Sequence, residues 1–174
     1  VVDAEVVERY GGTIRITVSK NTNHEISNNV EKLIKLENDF GLFDQNVWKK
    51  FKSKILKTKY DLFEIALNAS NKGHRFVGKS CPGRCSTLIN YVGLSKDLMP
   101  YIAEQPSSLK LGKFLPGKHI PIVEDDVLFR EQPDFVVIFA WHYGKEIARD
   151  LKGRGLKSKF ILPLPEVKIL EWVF

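Results

Sequence analysis

The order of apolar and polar positions separates two kinds of segment. Val6-Val7, the pair Gly11-Gly12 and the alternation Thr13-Ile14-Arg15-Ile16-Thr17-Val18 predict strand, turn and strand, a hairpin over 1–19. A two-stranded hairpin is at best marginal alone in water, so this one must be the edge of something larger. Residues 20–26 are polar and loop-like. Ser27 is placed to cap a helix over 28–39, where Val30, Leu33, Ile34 and Glu37 fall in helical order and Gly41 is a stop. Asp44 opens a second helix, whose stripe Val47, Trp48, Phe51, Ile55, Leu62 and Ala66 keeps close to a 3.6-residue period until Gly73. These two helices read as a connector leading into a compact domain.

From residue 74 the pattern changes. Short strands are predicted at 75–78, 99–103, 120–123, 159–162 and 167–173, and helices at 84–92 and 143–151. Phe135-Val136-Val137-Ile138-Phe139-Ala140 is apolar throughout, as buried parallel strands tend to be. Alternating strands and helices predict an α/β fold with a mainly parallel sheet and flanking helices, preceded by the hairpin and the two connector helices. The expected domains are 1–26, 27–73 and 74–174.

Composition narrows the class. With 174 residues, 43% hydrophobic and 28% charged, the chain suits a globular domain that needs no disulfide or metal staple. The longest apolar run is strand-sized, far short of the ~20 residues that span a bilayer, so no membrane partner is expected. The net charge of +6 mildly favours anionic partners such as phosphates but does not make a nucleic-acid binder. Six lysines crowd residues 49–59, where interleaved apolar positions make them a solvated helix face. Two cysteines, Cys81 and Cys85, fit a reduced, cytoplasmic compartment, and their C-x3-C spacing lacks a partner pair for zinc. No secretory leader is visible, and the chain opens on Val-Val-Asp without Met, as a fragment or processed product would.

Three stretches carry candidate chemistry. Gly78-Lys79-Ser80-Cys81-Pro82-Gly83-Arg84-Cys85-Ser86-Thr87 joins a strand to a helix, where backbone N–H groups and the positive helix end suit an anion. Arg84 and Cys85 stand where a nucleotide-hydrolysing loop needs Lys and a hydroxyl, so that chemistry is excluded. Lys110 to Ile122 is a proline-stiffened turn with Lys110, Lys113, Lys118 and His119, a candidate wall of a polar cleft. Trp141, His142 and Glu146 follow the most buried strand, at the sheet edge where open α/β sheets place ligands. No nucleophile–base–orienter set and no spaced metal motif can be read, so catalytic and metal-binding residues are assigned to none. A class I S-adenosylmethionine site needs an early acidic, glycine-rich loop, and none precedes residue 73.

Together these strings resemble the C-terminal part of the S-adenosylmethionine-dependent sugar C-methyltransferases, which methylate nucleotide-linked deoxysugars. The resemblance rests on Gly11-Gly12-Thr13-Ile14-Arg15, Thr87-Leu88-Ile89-Asn90-Tyr91, Leu115-Pro116-Gly117-Lys118-His119-Ile120-Pro121-Ile122, Ala140-Trp141-His142 and Pro163-Leu164-Pro165-Glu166, in that order over nearly the whole chain. The loop 77–85 departs from the family's glycine-rich pattern, and His142 replaces the usual Asn. The resemblance implies a Rossmann-like C-terminal domain, with 1–26 as the end of a methyltransferase domain otherwise missing here. It implies a nucleotide-sugar substrate held by Lys79, Ser80, Arg84, Thr87, Asn90, Pro116, Gly117, His119, Trp141, His142 and Glu146. S-adenosylmethionine is then expected in the full-length enzyme and not on this chain alone. The alternative is a stand-alone, non-catalytic binding or interaction module that kept the fold.

Overall fold

The computed structural model describes residues 1–9, 12–21 and 23–171, so Gly11 of the expected turn and residues 172–173 of the expected last strand lie outside the described residues. The chain divides into two units, Val1–Ser53 and Lys54–Phe174. In the first, β1 (Asp3–Val7) and β2 (Thr13–Thr17) pair antiparallel with Asp3 opposite Thr17 and Val7 opposite Thr13. Glu5 and Arg15, directly opposite, form an ion pair. Helix α1 (Asn28–Phe40) starts where the Ser27 side chain accepts the Asn29 N–H at 3.2 Å, and it stops at Gly41, φ +78°. The helix α2 (Gln45–Asn71) contains the division between units. Its second half buries Thr58, Leu62, Ala66 and Ala69, while Trp48 and Phe51 in the first half stay exposed. The predicted stripe therefore finds a core only from Thr58 onward.

The second unit holds a six-stranded sheet in the order β5-β4-β3-β6-β7-β8. Its strands are β3 (Phe76–Lys79), β4 (Ile102–Glu104), β5 (Ile122–Glu124), β6 (Phe135–Ile138), β7 (Lys159–Leu162) and β8 (Lys168–Ile169). The first five are mutually parallel, and β8 alone runs antiparallel, against β7. This is the α/β class expected, with a mainly parallel sheet, flanking helices and an N-terminal hairpin. Helices α3 (Cys85–Val92), α4 (Asp126–Glu131) and α5 (Gly144–Gly153) complete the unit.

Strand alternation sorts the core into two layers. Phe76, Ile102, Val137, Phe139 and Ile161 join the layer of α2 and α3. Val77, Ala103, Val136, Ile138 and Phe160 join the layer of α4 and α5. Gly78 sits mid-strand, where an added Cβ would lie 2.9 Å from the Phe139 ring and 3.0 Å from Ile102.

Several boundaries differ from the sequence reading for identifiable reasons. The strand expected at 99–103 begins only at Ile102, because the Met99 N–H bonds the Ser95 carbonyl and its side chain is fully buried against Gly78. The strand expected at 120–123 begins at Ile122, because Ile120 pairs back with Leu115. The strand expected at 167–173 shrinks to Lys168–Ile169. Helix α4 was not foreseen: its six residues are too few to display a helical period.

Gly78→Ala should cost about 1–3 kcal/mol through overpacking, read as a lower urea midpoint with an unchanged slope. Wild-type stability would show that Phe139 and Ile102 can withdraw.

Candidate functional site

The strand order reverses between β3 and β6, which lie side by side although β4 and β5 intervene in the chain. In open α/β sheets such a reversal leaves a crevice beyond the carboxyl ends of the strands. Lys79 and Ser80 end β3 there. Ser80 takes a left-handed backbone, φ +65°, which non-glycine residues adopt rarely. Across the crevice the Phe139 N–H bonds the Lys79 carbonyl at 2.9 Å, and the chain then turns through a short 3-10 helix, Trp141–Tyr143.

On the α5 side of the sheet a cleft of about 440 Å³ opens over these strand ends. At its base Lys79 Nζ donates to Asp125 Oδ2 at 2.9 Å, and both side chains are nearly dry at 7% exposure. Arg154, half exposed, stands 3.6 Å from Asp125 and 3.4 Å from Asp150 and stacks over the Phe129 ring. Glu104, Glu146 and Asp150 supply further carboxylates, so the lining carries four acids against Lys79 and Arg154. That balance disfavours a phosphate and favours hydroxyl or amine donors.

On the α3 side of the crevice the chemistry is opposite. Arg84 immediately precedes α3, is exposed, and gives the helix no side-chain cap, so the positive helix end stays open beside a guanidinium. Thr87, in the first turn of α3, is also exposed. His142 lies against Trp141 with ring centroids 3.6 Å apart. Burial and then the nearby Arg84 charge hold the His142 imidazole below its ordinary range.

The structure therefore gathers only part of the candidate set. Lys79, Ser80, Arg84, Thr87, Trp141, His142 and Glu146 belong to the carboxyl edge, split between its two sides. Lys79 is not a free cation: Asp125 neutralises it, and dehydration forbids leaving it unpaired. Pro116, Gly117 and His119 belong elsewhere. They form the turn that leads into the amino end of β5, where Gly112 and Ile122, and then Leu115 and Ile120, pair back to back. Asn90, late in α3, donates to the Pro116 carbonyl at 3.0 Å and the Ser86 carbonyl at 2.8 Å. A Cβ on Gly117, φ +89°, would fall 2.3 Å from the Asn90 amide. Lys118 shares that turn. Asp125 and Arg154 were missed: nothing local marks an Asp after a strand or an Arg between two glycines as site residues.

Glu104, at the end of β4, accepts the Cys81 N–H at 2.8 Å and the Gln105 N–H at 3.1 Å. Among the described residues no helix is long and apolar enough to cross a membrane.

A family model described as "C-methyltransferase C-terminal domain" matches residues 8–165. The C-methyltransferase NovU of Streptomyces niveus is 25% identical over 174 residues, covering 98% of this chain and 41% of that protein. The chain thus spans about two fifths of the length of the curated relative it matches.

Two outcomes follow from this geometry. Asp125→Ala strands a buried ammonium and should cost roughly 3–5 kcal/mol in urea unfolding, whereas Lys79→Met combined with Asp125→Leu should fold at near wild-type stability. Equal losses in the two variants would mean that water reaches the pair. Arg84→Ala should raise the pKa of His142 in an NMR titration, because a positive charge that opposes protonation is gone. The folded imidazole takes its proton less readily than the unfolded one, so its contribution to stability is lost as pH falls through the folded pKa.

Proposed function

The chain belongs to the family of C-methyltransferase C-terminal domains, and on that premise we propose that it is the substrate-holding part of an S-adenosylmethionine-dependent enzyme acting on a nucleotide-linked keto-deoxysugar. The observation that carries this reading is the two-sided carboxyl edge. Arg84 and the open amino end of α3 suit the diphosphate, the tilted Trp141–His142 ring pair offers aromatic surface, and the acid-lined cleft accepts hydroxyl donors. In this reading the base that enolises the keto sugar, and the site of S-adenosylmethionine as methyl donor, belong to the rest of the protein.

The first unit supports the same division of labour. Val6, Ile14, Ile16 and Val18 of the hairpin are exposed, and β2 is exposed along its length. A surface of that kind suits completion by further strands of a methyltransferase domain.

Arg84→Ala in the full-length protein tests the proposal. Losing one charge-assisted contact worth roughly 1.5–3 kcal/mol should weaken nucleoside-diphosphate-sugar binding about tenfold to a hundredfold. S-adenosylmethionine binding should be unchanged in the same calorimetric titrations, and residues 1–174 alone should bind none. Unaltered sugar affinity would remove Arg84, and with it the proposed edge, from the site.

A further inference from the structure

We propose that Cys81 and Cys85 are an oxidisable dithiol, which a hydroperoxide converts to an intramolecular disulfide in the folded protein. The pair flanks the loop that bears Arg84, but the proposal stands independently of what that loop binds. Both cysteines are free, and their sulfurs lie 3.3 Å apart. A disulfide is about 2.05 Å long, so closure asks for an approach of roughly 1.3 Å, within the reach of two χ1 adjustments.

The backbone on either side is held while the turn between can yield. The Cys81 N–H donates to Glu104, and the Cys81 carbonyl accepts from the Lys110 ammonium. Cys85 begins α3, and its N–H donates to the Pro82 carbonyl at 3.0 Å. Between them Gly83 is exposed, with no atom within 4 Å of where a Cβ would stand. Neither sulfur is therefore locked at its present distance by the packing of the turn.

The two thiols are also unlike. The hydrogen bond from Cys85, aided by the Lys110 charge, lowers the Cys81 thiol below its ordinary range against burial and the Glu104 carboxylate. The same hydrogen bond, together with burial, pushes Cys85 up. Cys81 is thus the attacking thiolate and Cys85 the resolving thiol. Both side chains are buried, at 6% and 4% exposure, which selects a small oxidant over a bulky disulfide.

The chemistry balances in two steps. The Cys81 thiolate attacks one oxygen of hydrogen peroxide and the O–O bond breaks. Cys81 becomes a sulfenic acid, and hydroxide takes up the proton that Cys81 had released, leaving as water. The Cys85 sulfur then attacks the Cys81 sulfur. The S–S bond forms, and the sulfenic hydroxyl leaves as a second water with the Cys85 proton. Two thiols are oxidised by two electrons in all, and one peroxide is reduced to two waters.

Trypsin makes the test direct, because it cuts after Lys79, Arg84 and Lys96 and so places Cys81 on residues 80–84 and Cys85 on 85–96. The folded full-length protein is treated with hydrogen peroxide, its free thiols are blocked, and it is digested. The two peptides should appear joined, or as one uncut 80–96 peptide lighter by two hydrogens, and reduction should separate them. In Cys85→Ser, a dimedone adduct should accumulate on Cys81. In Cys81→Ser, labelling of Cys85 should be at least tenfold slower. Recovery of both thiols unmodified from the folded wild type, over-oxidation of Cys81 without a joined peptide, or equal labelling in the two variants would overturn the proposal.

Discussion

Lys79 and Asp125 are held out of water at the end of the strand around which the sheet is wound. An ammonium in a nearly dry place is tolerated only with a carboxylate in contact. That requirement ties the carboxyl end of β3 to the start of α4. It also aligns the strand order across β4 and β5, since Asp125 directly follows β5. Arg154 reaches the same carboxylate from the end of α5, so the floor of the cleft is a charge cluster anchored from three elements.

The close approach at Gly78 works alongside this pair. With no side chain there, Phe139 at the end of β6 and Ile102 of β4 come within contact of the β3 backbone, and Met99 fills the space beside them. The strand can then place Lys79 on the α5 side while the following loop swings to α3. The two sides of the crevice acquire opposite electrostatics from the acids of β4, α5 and the start of α4 on one side and from Arg84 before α3 on the other.

At the other end of the sheet a different device operates. Gly117 leaves room for the Asn90 amide, which binds the Pro116 carbonyl and so couples α3 to the turn before β5. Leu115 and Ile120, both buried, root that turn in the core. The string Leu115 to Ile122 is thus held at the amino end of the sheet by packing and by the Asn90 hydrogen bond.

The sequence by itself determined the element types, the parallel layering of the second unit and the family, because strand alternation, helix period, capping at Ser27 and Gly41, and short motif strings are local properties of a chain. It also marked Ser80, Arg84, Trp141 and His142 as residues of one edge, since each directly follows a strand or opens a helix. Only the tertiary structure decided which charges are free and which motifs meet. The partner of Lys79 lies 46 residues away, and the partner of Gly117 lies on a helix 27 residues earlier by number. Such pairings depend on strand order and register, and no periodicity encodes them. The exposed first half of α2 has the same cause: whether an apolar position is buried is settled by what the rest of the chain brings against it.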